Sequence, residues 1–177
     1  MSNIARRNLL RTAFALPLML GLMSTNAFAA DDPLTGSWQL VKRKLPDGTI
    51  QTPPVVGGMS TVTASGVNHK NVFWQTPDGK RASISSIAAF KWSDTELSVT
   101  SMFSAFDDGS GKPAVYGVAG ETKRAPVKRE GGRVSYQHPF DPPFVVIDGD
   151  KMTATAEGLF TDYEKRSECP TACGGEE

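Results

Sequence analysis

The stretch Arg81–Trp92, RASISSIAAFKW, decides the fold class, because taken at every second position it gives a face of large apolar and small residues. Ile84, Ser86, Ala88, Phe90 and Trp92 share one face of an extended chain, whereas a helix would scatter them around its axis. The next stretch, Thr95–Phe106 (TELSVTSMFSAF), repeats the pattern with Leu97, Val99, Ser101, Phe103 and Ala105 on one face. Ser93-Asp94 between them is a turn signal, so the two segments read as a hairpin. Both faces mix bulky with small side chains, and small residues facing inward leave space. The closing stretch Lys151–Arg166 carries the theme on, with Met152, Ala154, Ala156, Gly158 and Phe160 on one side and Thr153, Thr155 and Glu157 on the other.

Working outward, turn signals recur along the chain at residues 46–48, 64–66, 77–79, 93–94, 107–111, 130–132 and 148–150, each carrying Gly or Asp. They divide the chain into about eight strands joined as hairpins, and no long stretch has a helical period. A meander of that kind has two exposed edges, which closure into a barrel removes. The expectation is therefore an all-β, single antiparallel up-and-down barrel. A β-sandwich is the structural alternative, disfavoured by the absence of an evident long crossover. At about eight strands a barrel is either just filled by its side chains or holds one small ligand. The Pro-rich segments Thr52–Val55 and His138–Phe144 belong in loops or at a barrel rim, because proline cannot donate to a central ladder.

Residues 1–29 read as a cleaved export signal, with Arg6, Arg7 and Arg11 ahead of the apolar run AFALPLMLGLM and a small-x-small site at Ala27-Phe28-Ala29. The run is too short to anchor the chain in a bilayer. RRNLLR at its start resembles a twin-arginine signal, and a general secretory leader is the alternative. Either route places the mature protein in the periplasm or outside the cell. Without the three leader arginines the chain has 16 Lys plus Arg against 19 Asp plus Glu, a mild acidity that leaves no footprint for nucleic acid or an anionic membrane. Residues 30–168 form the barrel domain, and 169–177 are a short Cys/Gly/Glu tail. Cys169 and Cys173, the only two cysteines, suit a small local disulfide in an oxidising compartment. A Cys-Pro-x-x-Cys redox or Cu(I) site is the alternative, but it lacks the strand-to-helix context such motifs use.

Gly36-Ser37-Trp38 opens the first strand, followed by QLVKRKLPDGT, and the later blocks NVFWQTPDGKRAS (71–83) and EGLFTDYEKR (157–166) complete a pattern. Over Leu34 to Glu168 it resembles the bacterial lipocalin-like domains of the calycin group. The resemblance implies that Trp38 packs across the closed end of the barrel beneath a basic residue from the last strand. Arg166 is the matching residue, with Lys165 as the alternate, so Gly36, Trp38 and Arg166 are expected to close the floor through a cation-π contact. It also implies a binding habit, and the mixed bulky and small inner faces lead to the expectation of a small apolar or amphipathic ligand; no cofactor is predicted. No helix is evident after the last strand, which departs from the classical lipocalin pattern.

The residues themselves offer little chemistry. His69 and His138 are the only histidines, no metal-ligand spacing occurs, and a haem held by either is the alternative to a rim or turn imidazole. There is no Gly-x-Ser-x-Gly elbow, and no catalytic residue is assigned. Asp107, Asp108 and Asp141 are carboxylates expected near the mouth, while alternation sends Glu157 to solvent. Lys123, Arg124, Lys128, Arg129 and Arg133 form a basic run that either grips an anion or is a solvated edge strand. The pocket wall is expected to include Trp74, Phe90, Trp92, Phe103, Tyr116 and Tyr136, since concave sites are mostly apolar. The leading expectation is a non-catalytic binder. An isomerase, cyclase or hydrolase on the same barrel, and a protein-interaction module, are the alternatives. Oligomeric state and ligand identity are not legible.

Overall fold

Each turn the sequence marks reverses the chain, and three of them share one design. At Leu45–Thr49, Thr63–Val67 and Thr76–Lys80 the first residue's amide bonds to the last residue's carbonyl, while a glycine amide returns to the first residue's carbonyl. These tight reversals bring successive segments side by side as antiparallel strands.

The computed structural model describes residues 32–167, and all regular structure among them is β. The strands are β1 (Gly36–Lys44), β2 (Ile50–Gln51), β3 (Gly57–Val62), β4 (Val67–Gln75), β5 (Arg81–Trp92), β6 (Glu96–Asp107), β7 (Val115–Tyr116), β8 (Thr122–Glu130), β9 (Arg133–Gln137), β10 (Phe144–Asp148), β11 (Lys151–Ala156) and β12 (Phe160–Arg166). Neighbours pair in chain order, with the short β2 beside one end of β1 and β7 beside one end of β6. β12 then pairs with β1, from Trp38 opposite Arg166 to Lys44 opposite Thr161, and the sheet closes. That closure gives a barrel, not a sandwich. The leader and the Cys169/Cys173 tail lie outside the described residues.

Ten strands form the wall where about eight were expected, because two reversals carry weaker signals. His138–Pro143 turns the chain between β9 and β10, with the His138 amide on the Pro143 carbonyl at 3.0 Å. Glu157–Leu159 turns it between β11 and β12, with the Leu159 amide on the Ala156 carbonyl at 3.0 Å. Lys151–Arg166 is thus a hairpin, and Met152 to Ala156 do not share a strand with Phe160. The extra strands widen the barrel beyond the size that side chains alone fill.

A β-bulge corrects the expected face of β6. Ser101 lies opposite Ala88 but Phe103 lies opposite Ile87, so Met102 is extra and the alternation reverses after it. Leu97, Val99 and Ser101 face the lumen as expected, and then Ser104 and Phe106 continue that row opposite Ser86 and Ile84. A second bulge between Leu40 and Lys42 keeps both Leu40 and Arg43 buried on β1. The main core fills the end formed by the start of β1 and the end of β12, with Leu34, Trp38, Leu97, Val99, Val134 and Ile147 nearly or fully buried. Leu40, Val56 and Val72 make a smaller cluster on one wall, with Trp74 and Ile84 packed against it.

Candidate functional site

The end of the barrel opposite the core opens into a cavity of about 960 Å³. Its entrance is built by the loops that the Pro-rich and Gly-rich segments form: Leu45–Asp47, Val115–Val118, His138–Pro143 and Gly158–Leu159. Deeper in, Val72, Trp74, Ile84, Ala88, Phe90 and Phe106 supply apolar wall, and Ser86, Ser101 and Ser104 leave room between them. Trp74 and Phe106 stack with ring centroids 6.2 Å apart. Arg43 and Asp162 line the same cavity as a bidentate pair at 2.6 and 2.7 Å, only 3 % and 4 % exposed. The Arg43 guanidinium is held between the Trp74 and Phe160 rings, 4.4 and 4.2 Å from their centroids.

Below the cavity lies a smaller chamber of about 50 Å³. Asn68, Lys70, Phe90, His138, Asp141 and Pro143 belong to both walls, so the two spaces meet at that ring of residues. Polar groups converge here from three directions. Lys70 and Asn68 come from β4, Glu164 from β12, and His138 and Asp141 from the β9–β10 loop folded into the mouth. His138 Nδ1 accepts the Asp141 amide at 3.1 Å and the Phe140 amide at 3.4 Å, which leaves the hydrogen of a neutral imidazole on Nε2. Burial holds His138 down at about 4, with Asp141 pulling it up and Lys70 pushing it further down. Glu164 is 5 % exposed, and its Oε2 has no hydrogen-bond partner. Burial raises this carboxyl to about 7, Lys70 opposing, Asp162 reinforcing and Arg43 opposing. Tyr136 is raised by burial and then by Glu164, so its hydroxyl keeps its proton.

The floor beneath that chamber is the Gly-x-Trp closure. Trp38 is 1 % exposed, and the Arg166 guanidinium lies 4.6 Å from its ring centroid. The same guanidinium also donates to the Thr35 and Pro33 carbonyls ahead of β1, each at 2.9 Å. Gly36 has φ 126°, and a Cβ there would stand 3.0 Å from Arg166 Nη1, so this position needs glycine on two counts. The chain folds as a closed antiparallel β-barrel. No family model matches the chain, and no curated protein does. Among solved structures it is similar to a lipocalin-like protein from Bacteroides uniformis ATCC 8492, at 14 % identity over 76 % of this chain and 99 % of that chain, with a TM-score of 0.35.

The barrel distributes the expected pocket residues unevenly. Trp74, Phe90, Phe103 and Tyr116 line the large cavity, Phe103 and Tyr116 at its rim with centroids 6.3 Å apart. Tyr136 lines the inner chamber instead, and Trp92 packs against Phe90 and the core, lining neither space. His69 is exposed on the outer side of β4, and Glu157 is exposed as expected. β8 lies between β6 and β9 and is not an edge strand. Of its basic run, Lys123 pairs with Glu121, Arg124 with Glu96, and Arg129 with Asp32 and Asp94. Lys70, Glu164, Arg43 and Asp162 had no motif to mark them. The one available signal was alternation: Glu164 and Asp162 keep the phase of Arg166 along β12.

Glu164 makes stability depend on pH in a set direction. Its folded carboxyl holds a proton up to about pH 7, whereas in the unfolded chain it releases it near the ordinary value of 4.5, so stability falls as pH rises through that window. Glu164→Gln removes the penalty. Urea unfolding is expected to find the variant more stable than the parent by about 3 kcal/mol at pH 8.5 and nearly equal to it at pH 4.5. Equal stability of the two proteins at pH 8.5 would overturn the assignment.

Proposed function

We propose that the protein is exported and that its barrel binds a small apolar or amphipathic molecule without transforming it. The observation that carries this reading is the open cavity of about 960 Å³, walled mainly by aromatic and aliphatic side chains with a few polar groups among them and more at its base. That is the size and lining of small-molecule sites in general. The leader with Arg6, Arg7 and Arg11 supports the export half of the proposal.

Native mass spectrometry of the protein purified from its own periplasm tests both halves. A mature chain lacking residues 1–29 and carrying a co-purifying small molecule is the expected result, and the absorption spectrum shows whether that molecule is a haem. The apolar dye N-phenyl-1-naphthylamine should also bind with a rise in fluorescence. Ser86→Trp, which puts a bulky ring on the lumen face of β5, should weaken dye binding at least tenfold with the fold retained by circular dichroism. Failure of the parent protein to bind either dye or cellular ligand would sink the proposal.

An enzyme on the same barrel is the second reading, favoured by the convergence of Lys70, His138, Asp141 and Glu164 on one chamber. It requires that the co-purified molecule be altered on prolonged incubation with fresh protein, which a carrier would leave unchanged.

A further inference from the structure

The inner chamber gathers several hydrogen-bond donors on one ring of residues. Trp38 lines it, and its Nε1 is buried with no partner among the described residues, where a buried indole N–H ordinarily has one. The Lys70 ammonium makes no hydrogen bond or ion pair among the described residues, although its charge acts on both His138 and Glu164. The Tyr136 hydroxyl and His138 Nε2–H add two further donors. Facing them are the carboxyls of Glu164, whose Oε2 is unpartnered and buried, and of Asp141. A space of about 50 Å³ takes a group of a few heavy atoms. The group that suits this inventory accepts several hydrogen bonds and carries negative charge.

We propose that the inner chamber is a subsite for the carboxylate of an amphipathic ligand, gripped by Lys70 and Trp38, with Glu164 joining as a donor in its protonated form. The inference rests on the reading of the larger cavity as a binding site, where the ligand's hydrocarbon lies against Phe90, Ile84, Trp74 and Phe106.

Occupation of this subsite is linked to a proton. The charged and titratable groups around Glu164 are Arg43 from β1, Lys70 from β4, Tyr136 from β9 and Asp162 from its own strand, with His138 and Asp141 in the same wall. β11 contributes Met152 directly opposite it, and β1 contributes Leu40. Of these groups Lys70 is the cation without a partner among the described residues, so a ligand carboxylate and an ionised Glu164 would compete for it. Binding therefore favours protonated Glu164, which is half populated near pH 7. Affinity for a carboxylate falls about tenfold between pH 6 and pH 8 as that form is lost.

Calorimetric titration of the barrel with dodecanoate, 1-dodecanol and dodecylammonium, each below its micellar concentration, tests this at both pH values. Repeating the titrations in buffers of different ionisation enthalpy reads the protons taken up. Dodecanoate is expected to bind at least tenfold tighter than dodecanol at pH 6, and to take up close to one proton at pH 8. Glu164→Gln should abolish the pH dependence and keep dodecanoate binding, while Lys70→Met should bring dodecanoate to the level of dodecanol. Equal binding of the acid and the alcohol, preference for the ammonium compound, or no proton uptake would overturn the subsite and leave the cavity reading standing. Binding of none of the three would overturn the cavity reading as well. The comparison among probes uses the parent protein, so it decides the matter even if a variant fails to fold.

Discussion

Trp38→Ala is expected to lower the free energy of unfolding by about 3–5 kcal/mol, the cost of truncating a large ring in a packed core. The indole is essentially inaccessible and belongs to the main core cluster with Leu34, Val62 and Ile147. Its loss also strips Arg166 of the ring on which the guanidinium rests, although the bonds to Thr35 and Pro33 remain. Arg166→Met should therefore cost less than Trp38→Ala, since it keeps an aliphatic cover over the ring while releasing two carbonyls. Chemical denaturation of both variants checks the order. Unchanged stability of Trp38→Ala would mean that the floor is held elsewhere.

Asp162→Ala is expected to cost a similar amount, about 3–5 kcal/mol, for a different reason. It leaves the Arg43 guanidinium buried beside the cavity without its counter-ion, and an uncompensated buried charge is the expensive outcome. The Trp74 and Phe160 rings on either side of Arg43 cannot replace a carboxylate that accepts two charge-assisted bonds. The double variant Arg43→Met with Asp162→Leu removes both charges together and should recover most of the loss. Denaturation of the single and double variants forms the test. A single variant within about 1 kcal/mol of the parent would show that water reaches Arg43 and that the pair is held loosely.

These two effects differ in how visible they were beforehand. Trp38 and Arg166 were marked by the Gly-x-Trp at the start of the first strand and the basic residue near the end of the last. Arg43 and Asp162 lie 119 positions apart, and nothing in the blocks that contain them singles out either residue. They meet because β1 and β12 close the barrel, and because a bulge after Leu40 turns Arg43 inward. The same limit applies to Phe103. Period two predicted its face correctly only as far as Ser101, since one extra residue reverses every side chain after it.

All-β character and hairpin order were legible in the chain because they follow from alternation and turn chemistry, and the floor was legible through the family resemblance that the Gly-x-Trp carries. Only the tertiary structure decided that the wall has ten strands, that the His138–Pro143 loop folds into the mouth, and that Lys70, Glu164 and His138 share one chamber. The physical reason is that a strand's period tells which side chains face inward and nothing about which of them meet. Across a closed barrel that depends on register, bulges and loop packing, each set by contacts between residues far apart in the chain.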